Sequence, residues 1–423
     1  MLVGERFRFA RALSSKSYTL LWTGQTMSKV GNTIFLIALG WHTYDMTHSA
    51  SATALIEFVA MLPSIVLLLF GGVVADRLSR RLILIFSDVG SGIGILVIAF
   101  LAWTQTLQYW HLLLLVAFFG TVSSFFGPAY AAIRPQLLEK EALASANALD
   151  GVSRQISRLL GPLFCAALIW KTGYAGVYAC DGLTFIFAGV CSLLMHVPNE
   201  KTYSIEQEQI QNRESKSERR GFRRLLADVS EGLLYTRQMR WLWVSLIVFS
   251  IANIGQAAPL IVAVPKLVAS HYHMGEWLLS AYASANAIGS LMAMIYIGQR
   301  ASLRHRCVLV YITSILSSLC MACTGLFGWP IAFIIASIVM GIFGSIADTL
   351  WPVLIQEYVP TEKLGRVSSI NMITTALVWP IGYFLVGGFS DIIGPAVVFI
   401  IGGIFSAVVR CYGFTVRDIR QLP

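Results

Sequence analysis

Long apolar runs separated by short polar breaks dominate this chain. They fall at about residues 18–43, 52–75, 82–103, 108–133, 145–170, 175–197, 241–265, 277–298, 307–327, 330–356, 367–389 and 394–414. Each reaches the roughly 20 residues that a helix needs to cross the hydrocarbon core of a bilayer. The pattern therefore predicts an all-α membrane protein of twelve transmembrane helices. One long polar stretch, 198–240, divides six runs from six. It opens on a polar tract expected to be disordered. It then becomes amphipathic, with Phe222, Leu225, Leu226, Val229, Leu233 and Leu234 at helical spacing, as in a helix lying on the membrane face. The domain plan is an N-terminal six-helix bundle over 1–197, a linker over 198–240 and a C-terminal six-helix bundle over 241–423.

Composition narrows the class. Of 423 residues, 56 % are hydrophobic and 13 % charged, where a soluble domain carries about 25 % charge. Soluble, disordered, collagen-like and disulfide-scaffold classes are excluded together. The seven cysteines lie almost entirely inside apolar runs; Cys320 and Cys323 read as two small packing residues one helical turn apart, and no metal cluster is expected. The first long apolar run continues past signal-peptide length, so no cleavable leader is expected.

A net charge of +9 takes its meaning from position. Twenty-six of the 31 Lys and Arg fall in the tails and loops of one side, with Arg410 counted to the C-terminal tail; the other side carries Lys171 and Lys266. That asymmetry predicts both termini and the linker in the cytosol, and no nucleic-acid partner. The halves also repeat. At an offset of 221, Asn32 falls on Asn253, Glu141 on Glu362, Leu143 on Leu364 and Gly161 on Gly382; near 223, Arg77, Ser79 and Arg81 fall on Arg300, Ser302 and Arg304. Two pseudo-symmetric six-helix bundles follow, of the kind that binds substrate near the bilayer midplane.

Ionisable groups inside spans are candidate functional groups, since burying one costs roughly 2.5–3.5 kcal/mol even on the lenient insertion scale. Three cations, Lys29, Arg154 and Arg158, remain within spans. Asp150, Arg154 and Arg158 run i, i+4, i+8, which places them on one helix face with Gly161 and Cys165. Three buried cations suit an anionic substrate; Asp150, Asp88 and Asp348 equally offer counter-charge. Glu57 and Asp348 join Asp150 as candidates for a proton or charge relay. An apolar span favours a neutral carboxyl, which lets Glu57 load and release a proton as access alternates; the alternative is a static counter-charge to Lys29 or the arginines. Asn32, Asn253, Gln256, Trp351 and Trp379 are candidate cavity residues, with Gln25, Trp41, Asn286 and Tyr383 also able to line it.

The most specific local feature is GGVVADRLSRRLILIFSD between spans 2 and 3. Gly72, Asp76, Arg77, Arg80, Arg81 and Asp88 form a charged turn able to clasp and part as a gate, or simply to fix topology. Gly72-x-x-x-Asp76-Arg77-x-x-Arg80-Arg81 resembles the loop 2–3 signature of the major facilitator superfamily. FGPAYAAIRPQLLEKEALASANAL (Phe126 to Leu149), LGRVSS (Leu364 to Ser369) and WPIG (Trp379 to Gly382) resemble the bacterial branch of enterobactin exporters and macrolide-efflux pumps. Gly161, Pro162 and Leu168 match the antiporter signature GPxxGGxL in span 5, with Cys165 and Ala166 in place of its glycine pair. The span 4 arginine of many proton antiporters is absent; that span's first cation is Arg134.

What the resemblance implies is a secondary active transporter of the bacterial cytoplasmic (inner) membrane. It would export a small drug-like or secondary-metabolite molecule, amphipathic or anionic, in exchange for protons. It would act as a monomer among lipids, with no cofactor beyond the proton gradient. Lipid or lysolipid transport and a non-transporting receptor or scaffold are the alternatives. No HExxH, GxSxG or nucleotide-binding loop appears, so enzymatic and ATP-driven readings fall.

Overall fold

The computed structural model describes residues 8–70, 79–197, 233–300 and 305–421. Helix α1 is Lys16–Thr47, α2 Ala50–Phe70 and α3 Arg80–Trp103. Helix α4 covers Tyr109–Leu137 and breaks between Ser123 and Phe126. A single helical stretch, Leu143–Leu194, turns back at Gly173, where φ is 66°. Glycine adopts that conformation without the Cβ clash other residues meet, so the stretch forms two helices, α5 (143–172) and α6 (174–194). Helix α7 spans Arg240–Ser270 and includes a π-helical turn at Pro259–Ala263. Helices α8 Glu276–Gly298, α9 Arg306–Leu326, α10 Pro330–Tyr358, α11 Thr361–Ile392 and α12 Pro395–Phe414 complete the set. These are the twelve helices that the apolar runs predict, and there is no strand among the described residues. Most of the predicted linker helix lies outside the described residues; 233–238 is helical, with Leu233 and Leu234 exposed.

By internal packing the chain divides into two compact units, one of residues 1–46 and 56–214, the other of 47–55 and 215–423. The first unit holds two apolar clusters, around Tyr18, Leu84 and Ile133 and around Phe35, Ile95 and Tyr178. The core of the second gathers around Leu242, Tyr311 and Leu354.

Small residues decide where helices cross within each unit, and they do so twice in the same pattern. Helix α5 seats Gly161 on α1, where a methyl group on that glycine would fall 2.7 Å from Thr33 Cγ2. Helix α11 seats Gly382 on α7 beside Ile254 and Ala258. Gly382 and Ile254 lie 221 residues beyond Gly161 and Thr33. A methyl on Gly120 of α4 would overlap the Ala60 carbonyl of α2, and one on Gly341 of α10 the Asn286 carbonyl of α8. Gly182 of α6 packs on Gly92 of α3 as Gly403 of α12 packs on Ser318 of α9. Close backbone approach through small residues is how helices associate in lipid, where no hydrophobic drive separates helix from tail.

Candidate functional site

In the first unit a carboxylate on α5 gathers two cations. Asp150, 5 % exposed, lies 3.2 Å from Lys29 Nζ of α1 and 2.8 Å from Arg134 Nη1 of α4. The Tyr130 hydroxyl donates to it at 2.7 Å. The Tyr130 ring lies 5.4 Å from the Lys29 ammonium and 5.2 Å from the Arg134 guanidinium carbon. Two cations on one buried anion leave a net positive cluster, which the ring face and the partial exposure of the cations make tolerable.

Arg154 and Arg158 do not join this cluster. The buried line of α5 is Ser153, Ser157, Gly161 and Cys165, spaced by four along the seam with α1. Ser153 Oγ lies 2.8 Å from Thr26 Oγ1 of α1, and Cys165 Sγ donates to the Ile34 carbonyl at 3.5 Å. Each arginine stands one residue round from that line and is exposed. The shared face expected for Arg154, Arg158, Gly161 and Cys165 is thus corrected: the seam takes only small side chains, and the long cations are displaced from it. Pro162 is buried next to Gly161.

Beside the Asp150 cluster the first unit holds a cavity of about 160 Å³. Its walls include Gln25, Lys29 and Asn32 of α1, Asp88 and Ser91 of α3, and Phe119 of α4. Asp88 is 1 % exposed and accepts a hydrogen bond from Gln25 Nε2 at 2.8 Å. It forms no ion pair among the described residues. Asp88 therefore lines a cavity and pairs with neither Arg80 nor Arg81. Gly72, Asp76 and Arg77 of that turn lie outside the described residues. Arg80 Nη1 donates to the Ala132 carbonyl of α4 at 3.1 Å, and Arg81 donates to the Ser192 and Leu193 carbonyls at the end of α6. Arg81 thereby caps the C-terminal carbonyls of α6, where the macrodipole favours positive charge.

Glu57 sits half-buried on α2 and forms no hydrogen bond or ion pair among the described residues. Lys29 finds Asp150 instead, which removes the reading of Glu57 as its counter-charge.

In the second unit a cation that sequence reasoning assigned to the C-terminal tail proves to be internal. Arg410 lies within α12, 3 % exposed, and donates to Ser318 Oγ of α9. Its guanidinium carbon lies 5.9 Å from the Phe249 ring centroid, and Asp348 of α10 acts on it electrostatically. Gln256 of α7 completes the network, donating to Ser317 at 3.0 Å and accepting from Ser318 at 3.2 Å. Trp351 donates to Asn371 Oδ1 at 3.2 Å and packs edge-on against Phe249, a core position. Asn253 and Trp379 both line a small depression without room for a water.

Sequence reasoning also passed over Asp181, in α6. It is fully buried against Gly31 of α1; Thr184 donates to Oδ1 at 3.4 Å, and Oδ2 has no partner. The signal was available, since a lone acid in an apolar run is costly enough to need a reason. Among the described residues no group of His, Cys, Asp and Glu is arranged to hold a metal ion.

Twelve helices in two repeated six-helix units define a polytopic helical transporter fold. The family model of the Major Facilitator Superfamily matches residues 21–383 and 260–417, and the chain belongs to that superfamily. It is 23 % identical over 417 residues to "Macrolide efflux protein A" of Streptococcus pyogenes, covering 96 % of this chain and 97 % of the relative. It is 23 % identical to "Enterobactin exporter EntS" of Citrobacter koseri, covering 83 % and 79 %. The crystal structure of nucleoside transporter NupG superposes with a TM-score of 0.69 at 13 % identity, over 96 % of this chain and 99 % of that one, a likeness of fold. The protein is a multi-pass membrane transporter of small molecules and not an enzyme.

Proposed function

We propose that this chain exports a small amphipathic molecule from the bacterial cytoplasm in exchange for protons, by alternating access. The end-to-end likeness to a macrolide efflux protein and an enterobactin exporter supports export. The observation that carries proton coupling is Glu57, a carboxyl in a membrane span with no ion pair among the described residues. Asp150, by contrast, is committed to two cations. A proton carrier has to be free to change its charge, and a carboxylate clamped between Lys29 and Arg134 is not.

The same reading places the termini and the linker in the cytosol of an inner-membrane monomer, with the proton gradient as the drive. The basic loops support this orientation. Trp103, Trp110, Trp170, Trp277 and Trp329, each half or more exposed at span ends away from those loops, fit an interfacial aromatic belt, a sign of membrane embedding rather than of orientation. The test is efflux from a pump-deficient host expressing the protein, across a panel that includes a macrolide and enterobactin. Export of one class, abolished by a protonophore, is expected. Retention of every compound at the level of the empty host would reject the reading.

A further inference from the structure

Among the described residues, the charge lining the first unit's cavity without an ion-pair partner is negative, although three cations within the spans suit an anionic substrate on sequence alone. Lys29 lines that cavity but spends its ammonium on Asp150 at 3.2 Å. Asp88 has Gln25 as its hydrogen-bond donor and no cation among the described residues. Close by, Asn32 Oδ1 is buried without a partner, an acceptor awaiting a donor. Ser91 adds a hydroxyl, and Phe119 and Phe185, packed edge-to-face with ring centroids 5.8 Å apart, supply aromatic surface. A carboxylate, an orphan carbonyl and aromatic walls together match one ligand chemistry, an ammonium carried on an apolar body. About 160 Å³ is close to the roughly 150 Å³ cavity that admits benzene in an engineered protein, so the space takes a head group rather than a whole drug-sized molecule.

We propose that this cavity is a subsite for a protonated amine, with Asp88 as its counter-charge, Asn32 as a second acceptor of the ammonium N–H groups, and Phe119 and Phe185 against the carbon skeleton. The inference rests on the reading of the chain as a small-molecule exporter and gives that exporter's substrate a positive head. It differs from the anionic preference that Lys29, Arg154 and Arg158 invited. Lys29 is ion-paired to Asp150 within the fold, and the two arginines line no part of this cavity.

Binding of benzylammonium to the full chain in lipid nanodiscs, measured by isothermal titration without any ion gradient, tests the subsite. The neutral benzyl alcohol and the anionic benzoate are nearly the same size and isolate the contribution of charge. Benzylammonium should bind at least tenfold more tightly than benzyl alcohol, and benzoate more weakly than either. Asp88→Asn keeps an acceptor for Gln25 and removes the charge; it should bring benzylammonium to the level of benzyl alcohol. Ser91→Phe fills the space, leaves Asp88 in place and should abolish binding of both. If Asp88→Asn fails to fold, the three-ligand comparison and Ser91→Phe still decide. Equal affinity in Asp88→Asn, benzoate binding as tightly as benzylammonium, or loss of benzylammonium when Na⁺ replaces K⁺ at constant ionic strength would overturn the proposal. The last outcome would mark an alkali-cation site. Binding in the expected pattern by a protein that exports nothing would leave the subsite standing and remove the export reading.

Discussion

Lys29 Nζ of α1 lies 3.2 Å from Asp150 Oδ1 of α5, which joins two helices through a charge the sequence presents only as one of several candidates. Because Arg134 uses the other oxygen of the same carboxylate, the acid is the keystone of the cluster and each cation is replaceable. Asp150→Asn leaves two partly buried cations facing each other. A cost of about 2–3 kcal/mol is expected, below the 3–5 kcal/mol of a fully buried pair because both cations retain some exposure. Adding Lys29→Met to Asp150→Asn should restore part of the loss. Thermal unfolding of the purified single and double variants reads both effects, and additive losses would show that the pair is not coupled.

The glycine crossings predict a sharp contrast between glycines at tight crossings and glycines in open space. Gly120→Val places a side chain into the Ala60 carbonyl, and Gly341→Val does the same to Asn286 in the repeat. Gly127 and Gly388 have nothing within 4 Å of a would-be Cβ. The first pair should lose folded protein in the membrane, since overpacking a tight crossing costs about 1–3 kcal/mol or more. Alanine at the second pair should be silent. Yield of monodisperse protein on size exclusion distinguishes them.

These crossings also show what the sequence made legible. Twenty-residue apolar runs have few ways to satisfy their backbone in a bilayer, so the twelve helices follow almost directly. The 221-residue offset linking Gly161 to Gly382 was readable because a close crossing tolerates little but glycine. Charges were harder. Arg410 stands four residues from the end of its helix, near Arg417 and Arg420, and only packing against Ser318 and Phe249 makes it internal. Arg154 and Arg158 share a helical wheel with the α5 seam, but the wheel does not say which side chains are small enough to enter it. Asp88 was read with its neighbours in sequence, whereas its partner Gln25 is 63 residues away.

A second consequence concerns the head of α2. Asp391, near the end of α11, accepts from the Ala50 and Ser51 main-chain N–H groups at 2.8 and 3.0 Å and from Ser49 Oγ at 2.6 Å; Lys266 Nζ lies 2.6 Å away. These are the amides that a helix's first turn leaves without internal acceptors. Asp391→Ala removes a charged cap worth about 1.5–3 kcal/mol. Amide exchange at residues 50–53 should accelerate at least tenfold by mass spectrometry, with exchange in α9 unchanged. Uniform acceleration would mean that the clasp holds more than this turn.

Arg410→Met asks whether the buried guanidinium is structural. Its removal leaves Ser318 bonded to Gln256 and takes away the charge on which Asp348 acts. If the network only pins α12 to α9, the variant loses thermal stability, and Asp348→Asn introduced beside it recovers some of that loss. A double variant less stable than Arg410→Met alone would contradict this.

The most direct test of proton-driven export uses everted membrane vesicles and the compound identified in the efflux panel. An inward-acid gradient imposed on vesicles with the unaltered chain should drive uptake, and collapsing the gradient should stop it. Vesicles with Glu57→Gln should bind the compound normally and show no gradient-driven uptake. Uptake by Glu57→Gln at the rate of the unaltered protein would contradict the assignment of the proton to that carboxyl.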